Sequence, residues 1–472
     1  MKTMKYFLSG LLMLSLSMPV AAQSNNPLVD EATALVKNNT PAKEVKAFAK
    51  KNKKSGEVIT AIGRAYYELK DTVSAREYAE MAAQLKYSGG YVLLGDLASQ
   101  ANDAGQAAIM YENAIYADPK NAIPYLRYAV MYSKVDPNGS IAKLEELRTA
   151  VPDYPVDLPI ARFYVNAGKK DDAIRHFDRV DRSAMDAGDL ASYALMNYLN
   201  KDYPRSLSIV NEALKEFPRS SSLNRIGLMN TIAQEDYDQA LVFGDHLFNQ
   251  SDSANYNDFD YTNYAKAYIG KGQFDDAIAL YRKGMEVSSA DKDAVNNLYK
   301  EISDAYMKKG DFDNAVKEYK NYLDGTSKKT ASDYSALAEM YYKHAADLTG
   351  DEQMASIKSA DEIYADVQQR FQNNADVLGY VLNRRGTLNA ILDPTSEQGL
   401  AKPVYEELMK LIEATEERTP TDTKRLITCY RYMLSYDFTV LDNKEAAKDW
   451  AQKILDIDPE NEQAKAVIEN IK

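Results

Sequence analysis

The sequence predicts an all-α chain built as a stack of repeated helical hairpins, and three observations carry that prediction. A small residue recurs at Ala173, Ser206, Ala240, Ala277 and Ala315, in steps of 33, 34, 37 and 38 residues, which is the period of a helix–turn–helix unit. The turn ahead of it recurs as well: "NAGKKDDAIRHF", "GKGQFDDAIALY" and "KKGDFDNAVKEY" each give a glycine, then acidic residues, then the small residue. Composition agrees, because 472 residues hold only 21 Gly and 15 Pro, too few for a turn-dense all-β fold. At this length the chain exceeds one typical core of roughly 100–200 residues, so an array or several domains is required.

Taken in order, residues 1–22 read as a secretory signal. Lys2 and Lys5 make a basic start, "YFLSGLLMLSLSM" is an apolar run of signal length, and Val20 and Ala22 precede an expected cleavage between Ala22 and Gln23. The run is shorter than the roughly 20 apolar residues that span a bilayer, so no transmembrane segment is expected. No Cys stands beside the cleavage site, so the bacterial lipid-attachment signature is missing. Residues 23–55 form a leading helical segment, 56–330 a regular array, 331–460 longer and diverged hairpins, and 461–472 a polar amphipathic cap. Hairpins are placed at 56–87, 88–121, 122–153, 154–186, 187–220, 221–257, 258–295, 296–330, 331–375, 376–422 and 423–460. In the last third the small residue moves from Ala315 to Ala360, Ala401 and Ala447, with added length at 347–356 and 392–399 and in "SYDFTVLDNKE". Insertions on one side of an array are candidate binding loops or tolerated surface additions.

The packing logic explains the composition. Small residues on the first helix of each hairpin (Gly95, Ala161, Ala194, Ala265, Ser303, Ala338) let it approach the second, and aromatics one turn on, such as Tyr164, Tyr268, Tyr306 and Tyr341, fill the space beside that contact. A tyrosine can bury its ring face and leave its hydroxyl at a wet edge, which accounts for much of the 35 Tyr.

The unit "GGYVLLGDLASQANDAGQAAIMYENAIYADPKN" carries Tyr91, Leu94, Gly95, Ala98, Ala107, Tyr111, Ala114 and Pro119. It resembles the tetratricopeptide-repeat pattern closely, with Tyr for the leading Trp and Ala98 for the first helix's Tyr, and the resemblance runs through roughly residues 56–460. The segment "RRGTLNAILDPTSEQGLAKPVYEELMKLI" is similar to one in exported tetratricopeptide proteins of Gram-negative anaerobes. The resemblance implies a right-handed α-solenoid of about eleven hairpins with terminal capping helices. It also implies a concave face, built from the first helices, against which a protein or peptide partner lies. The residues expected to point inward there are Asp96, Arg162, Lys266, Lys300, Asp304 and Glu339, with Tyr342 and Lys343 near them. The Lys/Asn/Arg set that grips a terminal carboxylate in the best-known version of such a groove is not supplied by any three consecutive hairpins.

Chemistry finds little support in the residue supply. The three histidines, His176, His246 and His344, fall on different hairpins without metal-ligand spacing, and no G-x-S-x-G elbow is present. Asp171–Asp172 and Asp275–Asp276 stand where second helices begin, where carboxylates meet the positive end of the helix dipole. Lys271 and Gly272 are not part of a phosphate loop, since Asp275 stands where a third glycine would be needed and helical rather than strand spacing precedes them. Gly272 instead recurs as Gly168 and Gly310, as a left-handed residue ending a helix does. Cys429, the one cysteine, lies in the apolar helical run "RLITCYRYML" and reads as a buried inert thiol. The formal charge of −13 makes nucleic acid an unfavourable partner. The sequence therefore predicts a non-catalytic protein-binding scaffold, without cofactor or metal, exported to the periplasm or outer-membrane region. Two alternatives stand beside it: an envelope assembly factor acting by self-association or docking, and a glycan-acting or other hydrolase, for which no motif speaks. Oligomeric state is open.

Overall fold

In the computed structural model, residues 26–133, 135–252, 255–415 and 417–470 are described; the expected signal peptide and its cleavage point lie outside them. Twenty-five α-helices and no strand occur among the described residues. The chain divides into two compact units, the first ending at Asn255 and the second starting at Tyr256. The lengthening of the hairpins begins later, after residue 330, so change of unit and change of repeat length are separate boundaries.

In the first unit, α1 (Pro27–Lys37) and α2 (Ala42–Lys51) precede six hairpins. These are α3/α4 (Gly56–Glu68, Thr72–Gln84), α5/α6 (Ser88–Gln100, Ala104–Ala117), α7/α8 (Ala122–Tyr132, Pro137–Ala150), α9/α10 (Asp157–Asn166, Lys170–Phe177), α11/α12 (Ala187–Leu199, Tyr203–Glu216) and α13/α14 (Ser221–Ala233, Tyr237–Asp245). The helix α14 continues into a π-turn, His246–Gln250. Each first (A) helix packs on its own second (B) helix, and each B helix packs on the next A helix. A helices also touch in succession, α3 with α5, α5 with α7, α9 with α11 and α11 with α13.

The second unit repeats the scheme. Its hairpins are α15/α16 (Asp258–Gly270, Phe274–Val287), α17/α18 (Lys292–Lys309, Phe312–Gly325), α19/α20 (Ala331–His344, Gly350–Arg370), α21/α22 (Ala375–Leu392, Lys402–Glu413) and α23/α24 (Pro420–Thr439, Lys444–Ile457), and α25 (Glu462–Asn470) packs on α24. Eleven hairpins in all match the expected count. The boundary expected between residues 295 and 296 shifts, because α17 is 18 residues long and starts at Lys292, capped by Asp291. The added length at 347–356 is mostly helix: α20 runs 21 residues from Gly350. The 392–399 segment remains a turn, closed by the buried Asp393, which accepts from the Leu400 amide at 3.3 Å.

The turns show why short-range chemistry can be so uniform. At the A-to-B bend one residue adopts positive φ: Gly168 (+68°), Gly272 (+73°) and Gly310 (+82°) do so, and so do Lys70, Asn102, Lys201 and Glu235. The B helix then opens on an aspartate whose side chain accepts the third backbone amide, as at Asp71, Asp103, Asp136, Asp202, Asp236 and Asp311. This leaves one N-terminal donor fewer without a partner. Where glycine provides the bend at Gly168 and Gly272, the cap is missing and Asp171–Asp172 or Asp275–Asp276 occupy the first turn instead.

The core consists of separate clusters along each unit. Among its bulkiest buried members are B-helix aromatics sixteen residues beyond the small A-helix residue: Gly95 and Tyr111, Ala161 and Phe177, Gly227 and Phe243, Ala265 and Tyr281, Ser303 and Tyr319. A side-chain carbon at Gly95 would sit 2.4 Å from the Tyr111 ring, and one at Gly227 2.4 Å from the Phe243 ring. The A-helix tyrosines singled out from the sequence (Tyr164, Tyr268, Tyr306, Tyr341) are half-buried and flank these clusters. Where the small residue is serine, its hydroxyl donates to the backbone carbonyl of the facing small residue twelve positions away. Ser206 donates to Ala194 and Ser303 to Ala315, both at 2.7 Å. In the last hairpin the single Trp450 donates its indole N–H to the buried Asp437 at 2.7 Å and lies 5.7 Å from the Tyr430 ring.

Two stability changes follow. Gly227→Ala, though it favours helix by about 1 kcal/mol, forces a carbon into the Phe243 ring, and overpacking of about 1–3 kcal/mol lowers the thermal midpoint; Phe243→Leu in the same chain restores it. Glu235→Gly relieves a left-handed backbone strain of about 1–2 kcal/mol, less the chain entropy glycine adds, and raises the midpoint. Both are read by thermal melts followed by circular dichroism.

Candidate partner-binding surface

The eight residues expected on the A-helix face divide between the units. In the first unit two of them are consumed internally. Asp96 is buried on α5, its carboxylate 2.5 Å from Arg64 Nη1 of α3 and 3.5 Å from Arg127 Nε of α7, and it accepts from the Tyr111 hydroxyl at 2.9 Å. One carboxylate thus ties three successive A helices together and anchors the aromatic beneath Gly95. Burial, and then the neighbouring Asp96 charge, push the Tyr111 hydroxyl far above its ordinary pKa, so it stays a donor. Arg162 of α9 forms a two-pronged pair with the buried Asp189 of α11, Nε and Nη2 each 2.7 Å from a carboxylate oxygen. That hydrogen bonding raises the arginine pKa, and Asp189 simultaneously closes the capping box of α11 with Asp186. Asp96 and Arg162 therefore fasten neighbouring repeats, and neither offers a partner a free charge.

In the second unit the other six lie on α15, α17 and α19. Lys266 is exposed on α15, without an ion pair among the described residues. Lys300, Asp304 and Lys343 are brought together across α17 and α19. Asp304 keeps accessible surface, yet desolvation, and then the adjacent Glu301, raise its pKa above the usual carboxylate value, while Lys300, Lys308 and Lys343 draw it back. Lys300 also lies 5.9 Å above the Tyr322 ring, within reach of a cation–π contact, and the Tyr322 hydroxyl donates to Asp333 at 3.0 Å. One turn before Lys343 on the same helix, Glu339 sits 2.6 Å from Arg384 Nη2 of α21 and accepts from the hydroxyls of Tyr364 and Tyr380. The Arg384 guanidinium covers the Tyr342 ring at 4.7 Å. The result is a surface over α17, α19 and α21 in which exposed ammonium groups border half-exposed tyrosines and one anchored Glu–Arg pair.

Several members of these networks escaped the sequence reading. Arg64 follows Gly63 just as Asp96 follows Gly95, so register alone locates it. Arg127 has no such signal, because its hairpin is degenerate. Tyr364 stands 26 rather than sixteen residues after its small partner Ala338, displaced by the extension of α20. Arg384 precedes Gly386 by two positions, and Gly386 itself packs on Tyr405 nineteen residues later.

Two of the three histidines and the cysteine have structural employment. His176 Nδ1 is 2.7 Å from Asp157, which Arg148 also holds, and its ring stacks on Tyr164. His344 stacks on Phe312 at 3.8 Å. Cys429 is fully buried, and burial pushes its thiol up to about 12, so it carries no thiolate at neutral pH. Among the described residues no group of three His, Cys, Asp or Glu side chains converges as metal ligands, and no helix is long and apolar enough to cross a membrane. Near α12 and α14 of the first unit an open groove of about 660 Å³ is lined chiefly by neutral side chains such as Asn211, Gln239 and Val242, with His246 and Arg219 at its edge.

Removing the Asp96 carboxylate tests the fastening role. Asp96→Ala leaves Arg64 and Arg127 facing each other and the Tyr111 hydroxyl without its acceptor, a loss of about 1.5–3 kcal/mol. Asp96→Asn, which can still accept from Tyr111, loses less. Urea unfolding of the two variants distinguishes these outcomes.

Three segments of the chain, residues 89–121, 261–291 and 298–324, match the family model described as tetratricopeptide repeat; they fall on α5/α6, α15/α16 and α17/α18. No curated protein matches the chain. Among solved structures it is similar to the C-terminal part of a TPR repeat-containing protein from Cytophaga hutchinsonii, at 22% identity over 59% of this chain and 99% of that one, with a TM-score of 0.45. A tetratricopeptide repeat protein from Parabacteroides merdae is 17% identical over 52% of this chain and 96% of that one, TM-score 0.35. Pseudomonas aeruginosa pilF is 13% identical over 48% and 99% respectively, TM-score 0.38.

Proposed function

Because this chain is a tetratricopeptide-repeat protein, we propose that it is a non-catalytic scaffold that holds an extended protein partner against the A-helix face of its second unit. The observation that carries the choice of unit is the contrast in how charge is used. Asp96 and Arg162 of the first unit are closed into inter-helix pairs, whereas in the second Lys300 stands exposed over the Tyr322 ring and Lys343 stands exposed next to Tyr342 in the chain. Exposed ammonium groups next to amphipathic rings suit acidic and apolar side chains alternating along a partner segment. Affinity is then spread over several hairpins, as expected of repeat arrays.

The absence of a catalytic role is supported by the way reactive residues are occupied, with His176 and His344 stacked on rings and Cys429 enclosed. The basic start and apolar run at the N-terminus support export, and with it a partner in the periplasm or at the outer membrane. An assembly role through self-association or docking is a variant of the same reading, in which the partner belongs to an envelope complex.

The test is a crosslinking pull-down from native cells with the chain carrying Lys300→Glu and Lys343→Glu, set beside one carrying Lys120→Glu and Lys215→Glu in the first unit. Recovery of the crosslinked partner is expected to fall at least tenfold in the former and to stay unchanged in the latter. Equal recovery from both removes the second-unit face from consideration.

A further inference from the structure

The outer side of α2 carries a charge opposite to that of the rest of the protein. Between residues 42 and 54 stand Lys43, Lys46, Lys50, Lys51, Lys53 and Lys54 against the single Glu44, in a chain whose formal charge is −13. All six lysines are exposed. The other side of the helix is what holds it: Val45 and Ala49 are buried and Phe48 packs on the first core cluster. The helix is thereby pinned with its lysines outward, and its packing partners are α1 and α3 at the start of the first unit.

Local structure accounts for only part of this patch. Lys46 pairs with Glu77 at 3.3 Å, but both side chains are at least half exposed, so the pair adds little. The other five make no ion pair among the described residues. Lys50 and Lys51 occupy the last turn of α2, where the helix dipole favours them, but Lys43 occupies the first turn, where it does not. Six like charges within the twelve residues from Lys43 to Lys54 repel one another, and an anionic surface relieves that repulsion.

We propose that this lysine patch docks the protein to an anionic phospholipid surface. Clusters of four to eight basic residues on an amphipathic helix draw toward anionic headgroups by about 1 kcal/mol per residue near the surface. Lysine supplies compact, mobile point charges suited to headgroup phosphates, while the planar arginine forks and exposed rings that read nucleic acid are missing from the patch. A surface that meets this segment alone engages six lysines against one glutamate, whereas a long polyanion lying along the chain would meet its net negative charge. The inference is independent of the second-unit face proposed above.

Vesicle co-sedimentation tests it, using the protein in the form its own cells make, with vesicles of phosphatidylcholine alone and with 30% phosphatidylglycerol (about one lipid in three). Binding is expected to the anionic vesicles alone and to disappear between 50 and about 500 mM NaCl as charges are screened. Each Lys→Gln replacement at 43, 50, 51, 53 or 54 is expected to lower the partition coefficient about fivefold, with the helical circular dichroism spectrum unchanged. A variant with all five changed to Arg retains binding. Equal binding to neutral vesicles, or binding unaltered in the Gln variants, overturns the proposal. So does retention on DNA without vesicle binding, and so does lipid-free self-association that the Gln variants abolish.

Discussion

Each hairpin depends on how closely its two helices can approach, and in five of the eleven a small A-helix residue facing a buried B-helix aromatic sets that distance. The ring of Tyr111 lies where a side chain on Gly95 would be, and Phe243 does the same over Gly227. A wider A-helix residue would push the ring outward, and with it the surface on which the next hairpin sits. Because B helices pack both backward onto their own A helix and forward onto the next, an error of a few tenths of an ångström in one hairpin is passed along the stack within its unit. The small residues are thus a spacing device, and the burial of the paired ring supplies the free energy that keeps it closed.

The same rings connect the core to the polar surface. Tyr111 and Tyr364 pass through their hairpins and donate hydroxyl hydrogen bonds to carboxylates on the A-helix face, Asp96 and Glu339. Each carboxylate also holds an arginine from a neighbouring A helix, so desolvation of one charge is offset by a second partner rather than left uncompensated. In the first unit this arrangement occupies Asp96 and Arg162. In the second it occupies Glu339 and Arg384 and leaves Lys300 and Lys343 exposed.

Periodicity made the hairpins legible from sequence, because the small residues and the turn glycines recur at the same interval as the elements they build. Gly272, which in isolation resembles part of a phosphate loop, sits at φ +73° between α15 and α16, as its repetition at Gly168 and Gly310 implies. Face-level detail was harder to read. Asp96 and Arg162, expected to face a partner, point instead into neighbouring repeats, because a charge and its partner one hairpin away are not adjacent in sequence. Arg384 is hidden in the sequence for a related reason, since the extended α20 and the 19-residue offset of Tyr405 from Gly386 break the hairpin register.

The position of Trp450 gives the protein an uneven optical voice. The sequence holds 35 tyrosines and one tryptophan, and that tryptophan lies 5.7 Å from Tyr430 within the last hairpin, with Lys453 above its ring. Tyrosine excitation nearby drains into this indole, so emission in the tryptophan band reports mainly on α23 and α24. Helical ellipticity, by contrast, averages over both units. In an array stabilised by nearest-neighbour contacts, terminal hairpins can open before the interior does. Fluorescence and ellipticity then trace different transitions in the same cuvette, and their separation in temperature measures how tightly the last hairpin is coupled to the rest of its unit.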